Sequence, residues 1–153
     1  MVTELITYRG TVYPWHCDHV GHMNVMWYVG KFDEATWHYF HEVGLTPSWL
    51  RENRRGMAAV DQHIAYLAEL HAGDIVTVTT ASLEVKAKSL KFVHEMRNDE
   101  TMEVSAFATI TGVYMDTVGR KACPIPIDIA KRLQTITLHQ NKLYWADTLQ
   151  PMI

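Results

Sequence analysis

Apolar residues recur at steps of three and four between residues 24 and 43, the spacing that places side chains on one face of a helix. The positions with this period are Val25, Tyr28, Val29, Phe32, Ala35, Thr36, Tyr39, Phe40 and Val43. Asn24 is a favourable N-cap residue, and Gly44 is a common helix stop. The pattern predicts a helix of about twenty residues, roughly 30 Å long, the longest in the chain.

Strand patterns occupy most of the remaining sequence. Residues 3–13 mix β-branched and aromatic residues with polar ones, which predicts a first strand that Pro14 closes. A short helix is predicted at Pro47–Asn53 and helical turns at 127–133, while residues from about 135 to 153 have no clear period. Between them, turn residues separate four further predicted strands, at 57–70, 74–88, 89–98 and 102–116.

One strand, one long helix and four consecutive strands favour an α+β fold with an antiparallel sheet. Such a sheet has one face that must be covered. The 24–43 helix is the only predicted element long enough to cover it. We therefore expect the antiparallel β-sheet to wrap around one long central helix, with residues 1–153 forming a single domain.

Composition and charge narrow the functional class. The chain is 48% apolar with a formal net charge of −3, and its basic residues are scattered, which argues against nucleic-acid binding. No apolar stretch approaches the roughly 20 residues that span a bilayer, and the N-terminal residues do not resemble an export signal. We expect a cytoplasmic protein with no nucleic-acid or membrane partner, in which Cys17 and Cys123 are reduced thiols.

Residues 15–24 concentrate reactive groups between the first strand and the long helix. They include one carboxylate, three imidazoles, a thiol and a carboxamide. Loops held by rigid flanking elements often carry binding and catalytic residues. Gly21 would allow a ligand close to the backbone, or a positive φ. We interpret this segment as the active site.

The imidazoles of this loop also raise the alternative of a zinc site. His16, His19 and His22, with Cys17 and Asp18, contain enough ligands for zinc. Metal sites usually draw their ligands from at least two elements, and the sequence has no second cluster of such residues. We therefore expect no metal at this loop.

Asp18 is followed by Gly21-His22-Met23-Asn24 at the start of the long helix. With the 66–74 strand and turn and the 88–91 segment, in this order, the sequence resembles the hotdog-fold acyl-CoA thioesterases of the 4-hydroxybenzoyl-CoA thioesterase-like superfamily. The resemblance covers residues 3–133. It implies hydrolysis of an acyl-CoA to a carboxylic acid and free CoA, with no cofactor beyond the CoA of the substrate. His16 departs from the pattern, since many relatives carry an acidic residue there.

The resemblance also implies roles for single residues. Asp18 takes the place of the catalytic carboxylate, as nucleophile or general base. The backbone amide of Val25 is implied as the donor that stabilises the thioester oxyanion. Asn24 orients the water or the thioester, or simply caps the helix, and His22 holds the loop. His63 in the second strand is a further candidate to polarise the water.

Two groups of residues are implied to contact the substrate. The anionic phosphates of CoA require cations near the surface. The basic cluster implied for this role consists of Lys86, Lys88, Ser89 and Lys91, with Arg120 and Lys121 as additions; the alternative is a strand edge protected by lysines. The candidates to line the acyl pocket are Trp15, Met23, Trp27, Trp37 and Met57, which are alternatively core residues.

The resemblance also raises two alternative functions and bears on the oligomeric state. A hotdog enoyl-CoA hydratase pairs an aspartate and a histidine separated by four residues, whereas Asp18 and His22 are separated by three. A non-catalytic acyl-CoA-binding module should lack the carboxylate. Open strand edges favour pairing of two copies, so we expect a homodimer or homotetramer. The resemblance implies that the dimer also builds the active site, with Lys88 and Ser89 contributed by the neighbouring subunit.

Overall fold

The computed structural model describes residues 5–137 as one sheet curled against a long helix. Residues 1–4 and 138–153, which hold most of the unassigned tail, lie outside the described residues. The elements are β1 (Leu5–Thr11), a 3-10 turn (Pro14–His16), α1 (Val25–Glu42), α2 (Pro47–Asn53), β2 (Arg55–Tyr66), β3 (Ile75–Val85), β4 (Ser89–Asn98), β5 (Val104–Asp116), β6 (Lys121–Ala122) and α3 (Ile127–Thr135).

The strands follow the order β1-β3-β4-β5-β2, and every pair in this path is antiparallel. The short β6 pairs with β5 away from this path. The strands β1 and β2 therefore form the two edges of the sheet. This arrangement confirms the predicted α+β class, with an antiparallel sheet wrapped around one long helix.

One face of α1 packs on the sheet and fixes the direction of the helix. The Tyr28 ring near the helix start lies 5.1 Å from the Tyr66 ring at the end of β2. The Tyr39 ring near the helix end lies 5.1 Å from the Phe92 ring on β4. The buried residues of this face are Tyr28, Phe32, Ala35 and Tyr39. Burial of each large side chain contributes roughly 1.5–3 kcal/mol, which holds the N-terminus of α1 at the Tyr66 end of the sheet.

The ends of α1 confirm the predicted 24–43 helix to within one residue. Asn24 is the N-cap, and its side chain accepts the Met26 N–H. Gly44 has a φ of +97°, the left-handed conformation that stops a helix. Within residues 5–137, no helix combines the length and apolarity that crossing a membrane requires.

Four predicted strands were too long. The strand predicted at 3–13 ends at Thr11, and the strand predicted at 74–88 covers only Ile75–Val85. The strand predicted at 57–70 ends at Tyr66, because the Leu67 and Ala68 amides both donate to the Ser105 carbonyl and the chain leaves the ladder. The strand predicted from residue 102 begins at Val104, because Met102 has a φ of +62°, which an extended strand excludes.

Candidate active site

A tight turn at residues 18–21 carries the carboxylate of the loop. The Gly21 N–H donates to the Asp18 carbonyl at 3.0 Å, and the Asp18 N–H donates to the His22 carbonyl at 3.1 Å. Gly21 has a φ of +100°, a conformation that glycine adopts at low cost. The turn explains why glycine stands between Asp18 and the helix.

The Asp18 carboxylate is held at the start of α1 by two donors. Its Oδ2 accepts from the Asn24 Nδ2 at 2.8 Å, and its Oδ1 accepts from the Val20 N–H at 2.9 Å. The Oδ1 of Asn24 accepts the Met26 N–H at 3.0 Å. Asn24 therefore caps the helix and orients Asp18 with the two ends of one amide.

These hydrogen bonds lower the pKa of Asp18 below its ordinary value of 3.8. The bond from the Asn24 side chain is the largest cause, and the bond from the Val20 backbone is the second. Desolvation raises the pKa of Asp18, while the nearby His22 and His19 side chains lower it by smaller amounts. Asp18 is therefore an ionised carboxylate at neutral pH.

The first amide of α1 belongs to Val25, the residue that follows Asn24, and it has no acceptor among residues 5–137. The Met26 N–H is capped by Asn24, and the Trp27 N–H donates to the Asn24 carbonyl at 3.0 Å. Within residues 5–137, no hydrogen bond engages the N–H of Val25. The first amides of a helix point along the positive end of its dipole, so this N–H suits a developing negative charge.

His22 and Met23 tie the loop to the segment that follows β2. The His22 Nδ1 lies 3.1 Å from the Glu69 Oε1, and the Met23 N–H donates to the Leu70 carbonyl at 2.7 Å. The expected role of His22 in holding the loop remains a prediction. Glu69 and Leu70, which make these contacts, were predicted to lie in the second strand but follow its end at Tyr66.

His16 and His22, two of the three imidazoles of the loop, have different partners. His16 is buried, and its Nδ1 accepts the Tyr13 N–H at 2.9 Å. Burial is the main cause that lowers the pKa of His16, and the nearby charge of Lys31 adds to it. His22 pairs with Glu69, and among residues 5–137 no three His, Cys, Asp or Glu side chains converge as metal ligands.

His63 does not contact Asp18 within the chain. It projects from the edge strand β2, is exposed, and its Nε2 lies 3.2 Å from the Asp61 Oδ2. His63 could therefore polarise the attacking water only at an Asp18 that is not the one in its own chain.

A cavity of about 420 Å³, which we call the β2-side cavity, separates α1 from β2 and the centre of the sheet. Its lining is mainly apolar and includes Met26, Val29, Trp37, Met57 and Phe92. Asp33 adds a carboxylate from α1. The structure thus brings together two of the residues predicted to line an acyl pocket, Trp37 and Met57.

The other predicted pocket residues lie elsewhere. Trp15 and Trp27 line a cavity of about 550 Å³ on the opposite flank of α1, which we call the β1-side cavity. Met23 is buried and lines a cleft of about 360 Å³ at the helix N-terminus, together with Val25. The five candidates therefore do not line a single cavity.

The basic cluster lies at the far end of the sheet from Asp18. Tyr66, near the helix N-terminus, pairs with Ala106 on β5, whereas Ser89 pairs with Val113 on the same strand. The separation along β5 is about 23 Å at the usual rise per residue. Lys86, Lys88, Ser89 and Lys91 therefore cannot meet Asp18 within one chain.

Sequence reasoning missed two features of the site. Val20 supplies the second hydrogen bond to Asp18, and Asp33 places a carboxylate in the β2-side cavity. Asp33 had a detectable signal, because Met26, Val29, Asp33 and Trp37 follow the helical period along one flank of α1. Val20 had no detectable signal in the sequence, because its backbone N–H donates the hydrogen bond whatever the side chain is.

Comparison with known proteins identifies the class. The chain belongs to the Thioesterase-like superfamily, whose family model matches residues 12–133. No curated protein matches the chain.

Solved structures share the fold. A hypothetical protein from Staphylococcus aureus in complex with CoA has 20% identity and a TM-score of 0.89, over 100% of this chain and 96% of that chain. A 1,4-dihydroxy-2-naphthoyl-CoA thioesterase from Synechocystis has 20% identity and a TM-score of 0.75, over 84% and 95%. A gentisyl-coenzyme A thioesterase has 26% identity and a TM-score of 0.71, over 83% and 98%. The expected hotdog fold is confirmed.

Proposed function

We propose that this protein hydrolyses the thioester of an acyl-CoA, releasing a carboxylic acid and free CoA. The observation that carries the proposal is that Asn24 joins two groups: its side chain donates to the ionised Asp18 carboxylate, and it immediately precedes Val25, whose N–H has no acceptor in the described part of the chain. Membership of the thioesterase-like superfamily supports it.

The two groups match the two needs of acyl transfer. Attack on the thioester carbonyl places negative charge on its oxygen, which the Val25 N–H and the positive end of α1 stabilise. The Asp18 carboxylate attacks the carbonyl carbon itself or removes a proton from the attacking water. The tetrahedral intermediate then expels the CoA thiolate, and where Asp18 is the nucleophile, water hydrolyses the resulting anhydride to release the carboxylic acid and restore Asp18. Either role requires ionised Asp18, and neither needs a cofactor beyond the CoA of the substrate.

The acyl group occupies the β2-side cavity in this proposal. Met26, which lines that cavity, follows directly after the residue that supplies the oxyanion donor. The volume of about 420 Å³ suits a ring or a short chain. The gentisyl-coenzyme A thioesterase, 26% identical, supports an aromatic acyl group.

A second copy of the chain completes the site. Within residues 5–137, β2 pairs only with β5, and its central residues 59–63 are exposed at the open edge. Antiparallel pairing of two β2 strands about a twofold axis would place the Arg55 end of one beside the Tyr66 end of the other. Because Ala58 and Ser89 both pair with Val113, the partner's basic cluster would then approach Asp18.

A panel of acyl-CoA esters tests the function directly. We expect release of free thiol, fastest with an aryl ester, from a panel that spans benzoyl, hydroxybenzoyl and straight-chain acyl groups. Hydration of an enoyl-CoA without thiol release would instead favour the hydratase. Binding of CoA esters without turnover would favour the binding module.

A further inference from the structure

The β1-side cavity is a second concave site with its own chemistry. It lies between α1 and β1, and half of its lining residues are aromatic: Tyr8, Tyr13, Trp15, His16 and Trp27. Gly30 lines both this cavity and the β2-side cavity, so the two occupy opposite flanks of the same helix. None of the groups assigned to thioester hydrolysis lines it.

Lys31 provides a buried positive charge in this cavity. Its side chain projects from α1, the residue is 4% exposed, and its Nζ donates to the Tyr8 hydroxyl at 2.9 Å. The same ammonium stands 5.2 Å from the centroid of the Tyr8 ring. An ammonium carries three donors, and these contacts leave donors of Lys31 available.

No carboxylate neutralises this lysine among residues 5–137. None of the ion pairs there includes Lys31, and Glu34, the acidic residue of the same lining, is exposed and lies beyond ion-pair distance. Buried lysines are nearly always paired, because desolvation of an isolated ammonium is costly. An anion in the cavity would supply the missing partner.

The position of Tyr8 depends on a neighbouring glycine. A Cβ atom at Gly10 would overlap the Tyr8 hydroxyl, so only glycine lets the phenol ring fold back along β1 toward Lys31. The hydroxyl and the ammonium are thereby held together at the cavity wall as a two-donor pair.

The aromatic walls provide flat apolar surfaces. The Tyr13 and Trp15 rings stack with centroids 4.4 Å apart and an angle of 8° between planes. The His16 ring lies 4.5 Å from the Trp27 ring. Trp15 nevertheless remains 66% exposed, which leaves one large aromatic face uncovered. Such faces attract planar rings by apolar burial and offset stacking.

We propose that the β1-side cavity binds a planar aromatic carboxylate, with its carboxylate on the Lys31 ammonium and the Tyr8 hydroxyl and its ring against the aromatic walls. One ammonium and one hydroxyl match the two oxygens of a monoanion. A phosphate dianion would exceed the single cation and meet the repulsion of Glu34. The volume of about 550 Å³ lies in the range of small-molecule sites. The proposal does not depend on thioesterase activity.

Calorimetric titration of the full chain with 2-naphthoate tests the site. We expect saturable binding that weakens about tenfold or more for 2-naphthamide, which lacks the charge, and for cyclohexanecarboxylate, which lacks the planar ring. The titration is repeated with the Asp18→Asn chain, which should bind equally, so that failure of the proposed hydrolysis and failure of this site are distinguishable.

Two variants locate the ligand. Lys31→Met keeps an unbranched apolar stem and should weaken 2-naphthoate binding about tenfold or more, whereas Lys131→Met removes the same charge from an exposed position on α3 and should not. Trp15→Leu changes a largely exposed side chain, so it should weaken binding while the protein stays folded. Undiminished binding by both Lys31→Met and Trp15→Leu would overturn the proposal. Binding that is lost in Trp37→Leu but kept in the other two variants would also overturn it, because the acid would then occupy the β2-side cavity.

Discussion

The Nδ2 of Asn24 lies 2.8 Å from the Oδ2 of Asp18, while the Oδ1 of the same amide accepts the first capped N–H of α1 at 3.0 Å. One side chain therefore determines where the helix begins and how the carboxylate is oriented. Because the cap engages Met26, the uncapped amide is that of Val25. The two groups proposed to act on the thioester are thus positioned by a single residue.

Asp18→Asn should abolish thioester hydrolysis while the protein remains folded. An amide neither attacks a carbonyl nor accepts a proton from water, and removal of such a group typically costs about a hundredfold or more in rate. Initial rates of thiol release with the best ester measure the loss, and circular dichroism monitors the fold. Turnover close to that of the unchanged chain would remove Asp18 from the mechanism.

Val25→Pro should remove the oxyanion donor without breaking the helix. Val25 is the first residue of α1, where proline is well tolerated, and Asn24 before it is already extended, with a ψ of 147°. We expect kcat to fall by about 10²–10³, the usual effect of losing an oxyanion donor. Val25→Ala keeps the amide and serves as the control. Equal activity of the two variants would contradict the role of this N–H.

Asn24→Ser should move the acid limb of the pH–rate profile upward. The Asn24 hydrogen bond is the main cause of the lowered pKa of Asp18, so its removal raises that pKa. Activity requires the carboxylate and falls as pH falls through the pKa, so the variant should lose activity at higher pH than the unchanged chain. Serine still caps a helix, and thermal melting should confirm that α1 persists. Superimposable profiles of kcat/KM would refute the assignment.

His94 should make folding stability fall with acid. It is fully buried, with its Nδ1 2.7 Å from the Thr80 Oγ1 and its Nε2 2.8 Å from the Thr36 Oγ1, and burial lowers its pKa to about 3. The unfolded chain protonates this histidine near pH 6.5. Unfolding therefore takes up a proton between those values, and stability should decline on acidification by at most about 1.4 kcal/mol per pH unit.

Urea unfolding between pH 4 and 8 measures this slope. His94→Gln should flatten it, whereas His38→Gln, at an exposed position on α1, should leave it unchanged. A slope that survives in His94→Gln would assign the acid sensitivity to other groups.

Mixed dimers should be more active than either parent homodimer. A chain with Asp18→Asn and a chain with Lys88→Ala and Lys91→Ala would each be impaired as homodimers. If the basic cluster acts across the interface, one of the two sites in the mixed dimer has both elements intact. Coexpression with two affinity tags isolates that species for the thiol assay. A protein that sediments as a fully active monomer would rule out the shared site.

The local features of this protein are determined by its sequence. The helical period from residue 25, the capping ability of Asn24 and the glycine at position 21 act through contacts within a few residues, so the helix start, the turn and the carboxylate beside them follow from the order of residues. The same holds for the predicted helix at Pro47–Asn53, which the structure confirms.

Only the tertiary structure decided which distant groups meet. Strand pairing separates Ser89 from the Tyr66 end of the sheet, where Asp18 lies, by about half the length of β5. Packing of α1 places Trp15 and Met57 on opposite flanks of one helix. It also buries Lys31 against Tyr8, 23 positions away along the chain. The flank of a helix that faces each strand depends on the register and curl of the whole sheet, which hydrophobic periodicity alone does not specify.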